Sequence, residues 1–350
     1  MKYYFLGKSG LRVSELALGT MTFGTDWGWG AGTDEARNML DIYLDRGGNF
    51  VDTASGYTNG SSEKMLGEIL GERRKRIVLA TKYTMNTHQG DPNAGGNHRK
   101  NMIRSVETSL SRMKTDYIDL LYLHSWDNTT PVEEVLRAMD DLVRAGKVLY
   151  AGISDTPAWQ ISRMQTIADL RGWSPLIALQ NEHSLIERTS ERELAPMARE
   201  VGLGVVAWSP LANGLLTGKY SREDLQQRST ESEGWSSRVT MMANHGMLNE
   251  RVFNIVDEVT KVADEVNAPA AHVALAWLRA QSSVTSILLG ASKAGQLESN
   301  LNMLDLKLSE EQLQRLDAVS SIELGFPHKY LNDPANLWGV FGGVAVKRRN

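Results

Sequence analysis

Four side chains carry the chemistry that this sequence offers: Asp52, Tyr57, Lys82 and His124. Asp52 closes the apolar run of "NFVDTASGY", with Tyr57 five residues on; Lys82 lies near the end of "RIVLATKY" and His124 near the end of "YIDLLYLHS". Singly, each has an ordinary explanation: a strand-end cap, a solvated lysine, a satisfied core histidine. On three neighbouring strands they would converge. A buried lysine needs a counter-charge, and Asp52 one strand away supplies it. A phenol beside that ammonium is expected to have a lowered pKa, since positive charge favours phenolate. Such a tyrosine can hand a proton to a carbonyl oxygen as hydride reaches the carbon and take it back in reverse, while His124 donates a hydrogen bond to the same oxygen.

The elements that would position these groups alternate along the chain. Eight strand-length apolar runs occur at 16–20, 49–54, 76–83, 117–125, 148–154, 176–182, 204–210 and 284–290, after a hairpin candidate at 3–13. Between them lie stretches with apolar residues at helical spacing. In one, "VEEVLRAMDDLVRAG", the pattern predicts Thr130 as N-cap, Pro131 in the first turn, Glu133 completing a capping box and Gly146 at the end; Ser190 with Glu193 predicts a second box. Repeated strand–helix units with near-continuously apolar strands imply a buried parallel sheet. Eight such units predict a closed (β/α)8 TIM barrel with an N-terminal β-hairpin, formed by residues 1–350 as one domain. The rival, a Rossmann sheet, needs a glycine-rich turn after a strand, whereas "GLGVVA" from Gly202 precedes one. Two stretches break the repeat, 211–248 and the tail from about 322; long loops in such domains are commonly lids or binding loops.

Composition narrows the function further. A formal net charge of −4 gives no basic field for nucleic acid. There is no apolar run of about 18 residues to span a membrane, and "MKYYFLGKSGLRVSEL" lacks the apolar core of a signal peptide. Cysteine is absent, which excludes disulfides, thiolate metal sites and thiol nucleophiles together. The seven histidines form no H-E-x-x-H motif, so no metal site is expected. A cytoplasmic protein acting on a small molecule is the expectation.

The chain resembles the aldo-keto reductases over essentially its whole length, in the branch of aryl-alcohol dehydrogenases and potassium-channel β subunits. The matching pieces are "GNFVDTASGY", "LATKY", "DYIDLLYLHSWD", "VLYAGIS", "LIALQNEHS", "VVAWSPLANGLLTGKY" and "ILLGASKAGQLESNL". The resemblance implies a catalytic tetrad of Asp52, Tyr57, Lys82 and His124, and NADPH/NADP+ extended across the strand ends. By match, Ser154, Asp155 and Gln180 would hold the nicotinamide carboxamide, Trp208 would stack on the ring, and Thr20 and Met21 would lie nearby. Ser209, Pro210 and Leu211, with Gly214 to Lys219, would border the pyrophosphate. Gly290, Ser292, Lys293, Gln296 and Asn300 would hold the adenosine end, where a helix start near Ala294 suits a 2′-phosphate.

Three residues depart from the family pattern: Asp155 stands for a usual Asn, His183 for a common Tyr, and Trp208 for the Tyr of many relatives. The substrate is expected to be an apolar or ring-bearing aldehyde, ketone or alcohol, because Trp27, Tyr83 and Trp126, with Trp29 and Trp235, are expected in loops at the catalytic face, and Phe326 and Trp338 in the tail. Two other functions use the same residues. One is a Schiff-base enzyme with Lys82 as nucleophile. The other is a nicotinamide-sensing regulatory subunit of the channel β-subunit type, with slow turnover.

Overall fold

The eight apolar runs pair edge to edge and close on themselves. The computed structural model describes residues 1–220, 222 and 248–344. Strands β1 (Tyr3–Phe5) and β2 (Arg12–Ser14) form an antiparallel hairpin. Then β3 (Leu16–Gly19), β4 (Phe50–Asp52), β5 (Val78–Tyr83), β6 (Ile118–Leu123), β7 (Val148–Ser154), β8 (Leu176–Glu182), β9 (Gly204–Trp208) and β10 (Val284–Gly290) form a parallel barrel in chain order, with β10 returning to β3. Several strands are shorter than their apolar runs. The chain leaves the sheet directly after Asp52 and after Trp208, which frees the following residues for loops at the C-terminal rim.

Inside the barrel, Ala17, Phe50, Ala80, Leu120, Tyr122, Ala178 and Val206 pack together, and Leu6 and Val13 of the hairpin join them from the opposite end. Lys8 N donates to Gly202 O at 2.8 Å, tying the hairpin beneath β9. The hairpin thus plugs the floor of the barrel. Tyr122 fits inside because β7 carries no side chain opposite it: a Cβ on Gly152 would lie 2.6 Å from the Tyr122 ring.

Helices α1 (Thr33–Asp45), α2 (Ser61–Ile69), α3 (Arg99–Met113), α4 (Val132–Arg144), α5 (Ala158–Arg171) and α6 (Leu194–Val201) follow their strands, with further helices at Glu250–Glu265, Ala270–Ala280, Ala294–Leu301 and Glu310–Ser320. In α4 the buried face is Val132, Val135, Leu136, Met139 and Leu142, the spacing of a helix that covers a sheet. Among the described residues no helix is long and apolar enough to cross a membrane.

Neither expected capping box forms. Pro131 is the N-cap of α4 with no side-chain cap, and the Thr130 hydroxyl instead donates to Asp127 Oδ2 at 2.7 Å. Ser190 lies in a 3-10 turn with its Oγ buried and without a partner among the described residues, while Glu193 pairs with His328. A capping box does occur at Ser309 and Gln312, which the sequence reading passed over.

Candidate active site

Asp52, Lys82 and His124 stand at the rim of three consecutive strands, and the turn after β4 brings Tyr57 over them. The buried Lys82 ammonium makes three bonds: to Asp52 Oδ1, to Thr53 O at 2.9 Å and to Tyr57 Oη at 3.0 Å. Its Nζ lies 4.7 Å from the centre of the Tyr57 ring. The His124 ring meets that of Tyr57 edge-on at 5.8 Å. Asp52 is held on its other oxygen by Gln180 Nε2 at 2.9 Å.

Burial alone would strip the proton from Lys82, but Asp52 and then Tyr57 outweigh it and carry its pKa above the ordinary value. Such an ammonium is a poor Schiff-base nucleophile. For Tyr57 the expectation is reversed. Burial pushes the phenol up, the Lys82 charge pulls it down, and burial wins, so its pKa stands above the ordinary value. Lys82 therefore limits the rise rather than producing a net fall. His124 is pushed down to about 3 by burial and by Lys82, so it is a neutral imidazole with one N–H to give. Its Nδ1 is buried with no partner among the described residues.

Tyr57 owes its position to residues the sequence reading missed. The turn beneath it takes the left-handed region at Thr58 (φ 45°), Asn59 (φ 54°) and Gly60 (φ 92°). Thr58 Oγ1 donates to Phe23 O, and Arg112 Nη1 donates to Ser55 O at 2.9 Å and to Glu63 at 3.1 Å. Glu63, fully buried, also accepts from Thr81 at 2.7 Å. Gly60 is required twice, by its φ and because a Cβ would lie 2.4 Å from the Arg112 guanidinium carbon.

His124 is held through a clamp between two loops. Its backbone N–H donates to Thr84 Oγ1 at 3.3 Å, and Asn97 Nδ2 donates to Thr84 Oγ1 and to Ser125 O, both at 2.9 Å. Asn97 N donates to Asp127 Oδ2 at 2.7 Å, and Asp127 N returns a bond to Asn97 Oδ1 at 2.8 Å. Burial works against the Asp127 carboxylate, but bonds from Asn97, Thr129 and Thr130 hold its pKa down to about 2. Asp127→Ala is expected to cost about 1–3 kcal/mol in chemical denaturation. A lowered folded-state pKa means that this stabilisation is present above the unfolded value near 3.9 and is lost as pH falls through about 2. A stability-versus-pH curve between pH 5 and 2 that is the same for variant and wild type would show that the clamp contributes nothing.

The remaining expected residues fall into three groups. Thr20 is fully buried, and its hydroxyl bonds Asp52 O at 3.0 Å and Ser62 Oγ at 2.8 Å, which braces the strand end. Met21 is exposed at the rim. Ser154 is buried; Asp155 accepts the Trp208 indole N–H at 3.2 Å, so two of the departures from the family pattern meet each other. The third, His183, is buried and bonds Glu191 at 3.0 Å.

Beyond Trp208, with Pro210 buried and Leu211 partly so, Ser209, Ala212 and Asn213 take positive φ. A Cβ on Gly214 would lie 3.2 Å from Lys219 Nζ, which places that ammonium over the turn. At the adenosine end, Gly290 and Lys293 are exposed and Asn300 half-buried, while Gln296 Oε1 accepts from Ser292 N at 3.2 Å and Oγ at 3.3 Å. The helix start expected for a phosphate already holds an anion, because Ala294 N donates to Glu35 Oε1 at 2.5 Å.

Of the expected pocket aromatics, Tyr83 is misplaced: it is buried with its hydroxyl on Asn97 O at 3.2 Å, and faces away from the rim. Phe326 and Trp338 are 86% and 69% exposed, and Trp235 lies outside the described residues. Trp27 and Trp29 form a tilted pair 5.5 Å apart, and Trp126 is half-buried. Met85, partly exposed, adds an apolar neighbour to Gly56 in the Tyr57 turn. No group of three or more metal-ligating side chains occurs among the described residues.

The family model of the aldo/keto reductase family matches residues 15–321. The chain is 38% identical over 333 residues to norsolorinic acid reductase of Aspergillus flavus, covering 92% of this chain and 82% of that protein. It is 34% identical over 339 residues to the NADP(+) aryl-alcohol dehydrogenase of Phanerodontia chrysosporium, covering 93% and 87%. A putative aryl-alcohol dehydrogenase of Saccharomyces cerevisiae is 33% identical over 337 residues, covering 93% and 88%.

Proposed function

The chain belongs to the aldo/keto reductase family, and is an oxidoreductase; from that premise we propose that it interconverts a ring-bearing aldehyde or ketone and its alcohol, using NADP(H) with Tyr57 as general acid and base. The observation that carries this is the Lys82 ammonium bonded at once to Asp52, to Thr53 O and, at 3.0 Å, to Tyr57 Oη. NADPH, when bound, supplies the hydride to the carbonyl carbon. Tyr57 gives its proton to the carbonyl oxygen, and the nearby ammonium stabilises the phenolate left behind. His124, neutral, donates a second hydrogen bond to that oxygen. Asp52 keeps Lys82 charged and fixed.

The residues present suit the cofactor. The half-buried Trp208 offers an indole face for the nicotinamide, the Lys219 ammonium over Gly214 suits a pyrophosphate, and Ser292 and Lys293 suit a phosphate. The pairing of Trp27 with Trp29 supports an aromatic substrate, as do the relatives named for aryl alcohols. Those relatives are named as reductases and dehydrogenases, which weighs for turnover rather than sensing.

A charged contact to phosphate is worth roughly 1.5–3 kcal/mol, or about 10- to 100-fold in affinity. Lys293→Ala is therefore expected to weaken NADPH by that factor and leave NADH nearly unchanged. Glu35 opposes the preference, so Glu35→Gln should sharpen it. The test is a panel of aryl aldehydes, ketones and secondary alcohols assayed with each cofactor. A wild-type preference for NADH, equal loss of both cofactors in Lys293→Ala, or no turnover of any carbonyl or alcohol would overturn the assignment.

A further inference from the structure

Asp52 is a carboxylate 1% exposed, and each of its oxygens has a partner: Oδ1 takes Lys82 and Oδ2 takes Gln180 Nε2 at 2.9 Å. An ionised carboxylate only accepts, so the bond fixes which end of the amide faces it. Gln180 is itself buried, at 2% exposed, and comes from β8, on the far side of the barrel from β4. Below it the Tyr122 hydroxyl is buried beside the same two residues. A side chain serving only to grip a carboxamide would have no reason to commit a donor to Asp52. Without that donor, Asp52 Oδ2 would lose the hydrogen bond that Gln180 gives it, leaving the nearby Tyr122 hydroxyl as its polar neighbour among the described residues, and a proton moving from Lys82 would relieve the loss. The ammonium beside Tyr57 would then be lost.

We propose that Gln180 is a positioning residue for proton transfer: its amide keeps Asp52 ionised and turned toward Lys82, and through Lys82 it acts on Tyr57. This rests on Tyr57 being the general acid of the proposed function. The chain of contacts runs Gln180, Asp52, Lys82, Tyr57, across three strands and one turn. The titratable groups around it are Asp52 on β4, Lys82 on β5, Tyr122 and His124 on and after β6, Asp155 after β7, and Glu182 on β8. His124 titrates near 3, and burial with Glu187 and Asp155 carries Glu182 to about 7. A change confined to higher pH therefore reports on Lys82 and Tyr57.

The test uses Gln180→Leu and the isosteric Gln180→Glu. Turnover at saturating cofactor is followed from pH 6 to 11 in both directions, with cofactor affinity measured separately by fluorescence titration. Gln180→Leu should lower turnover about 10-fold or more, and its alkaline limb should move up by roughly 0.5–1 pH unit, the direction expected when Tyr57 loses its positive neighbour. In Gln180→Glu, a protonated side chain can donate to Asp52, so carbonyl reduction should approach wild type at low pH and diverge as pH rises. Should Gln180→Leu fail to fold, the Glu variant, equal in size, carries the test. If both variants keep the wild-type pH profile and differ only in cofactor affinity, Gln180 is a cofactor contact and nothing more, and the proposal is wrong. Tyr57→Phe assayed alongside separates the two ideas: full turnover there removes the general acid, whatever Gln180 does.

Discussion

Tyr57→Phe is expected to cut turnover at least ~10²-fold in both directions while cofactor affinity stays within about twofold. The substitution removes one oxygen, whose hydrogen-bond partner is Lys82 Nζ at 3.0 Å. Lys82 keeps Asp52 and Thr53 O, and the ring keeps its edge contact with His124 and its place under the ammonium. Stability should therefore change by only about 1 kcal/mol. On the proposed mechanism, what disappears is the proton source. No other hydroxyl is held to that ammonium among the described residues, and His124, with a pKa near 3, is not an acid at neutral pH. Steady-state kinetics with an aryl aldehyde, together with a fluorescence titration of the cofactor, would decide the matter. Turnover within a few-fold of wild type would remove Tyr57 from the role.

The barrel was legible because its signal is local. Eight apolar runs between helical stretches imply parallel strands, and parallel strands with their helices close at eight. The convergence of Asp52, Tyr57, Lys82 and His124 was legible for the same reason, since residue types at strand ends are placed by the strands themselves. Tyr83 shows a rule that was available but not applied. Successive residues in a strand face opposite ways, so if Lys82 points into the barrel, Tyr83 must point out toward the helices. Tyr122, paired in register with Lys82, falls on the interior face, as the structure has it.

What stayed hidden is bonding between residues far apart in sequence. Arg112 and Glu63 set the turn that presents Tyr57, yet 49 positions separate them. Gln180 meets Asp52 across 128 positions and Glu35 meets Ala294 across 259. The failed capping box at Thr130 has a similar origin. The local motif was present, but Asp127, drawn in by the clamp with Asn97, had already taken the hydroxyl. The sign of the Tyr57 shift was misjudged because sequence names a neighbouring charge but not the degree of burial that competes with it.

That competition makes Lys82→Met the sharper test of the site's electrostatics. Met nearly matches the lysine in length, so the cavity stays filled and the charge is what goes. Two consequences follow. First, Asp52 is left buried with Gln180 alone, and breaking such a pair costs roughly 3–5 kcal/mol; the added change Asp52→Asn should restore much of that stability by removing the stranded charge. Second, the positive charge that held Tyr57 down is lost, so burial raises its pKa further. Alcohol oxidation needs the phenolate as base and should fall at least ~10²-fold at neutral pH, with its acid limb displaced upward. Reduction needs the protonated phenol, and should lose less at neutral pH. The two effects separate in the double variant, which recovers stability but not the wild-type pH profile. In the wild type, the raised pKa of Lys82 means that its stabilising contribution is intact below the free lysine value near 10.4 and fades only above it, so that contribution is constant over the kinetic comparison from pH 6 to 10. An oxidation profile for Lys82→Met that superimposes on wild type, apart from a uniform scale factor, would show that Lys82 shapes the site without tuning its acid.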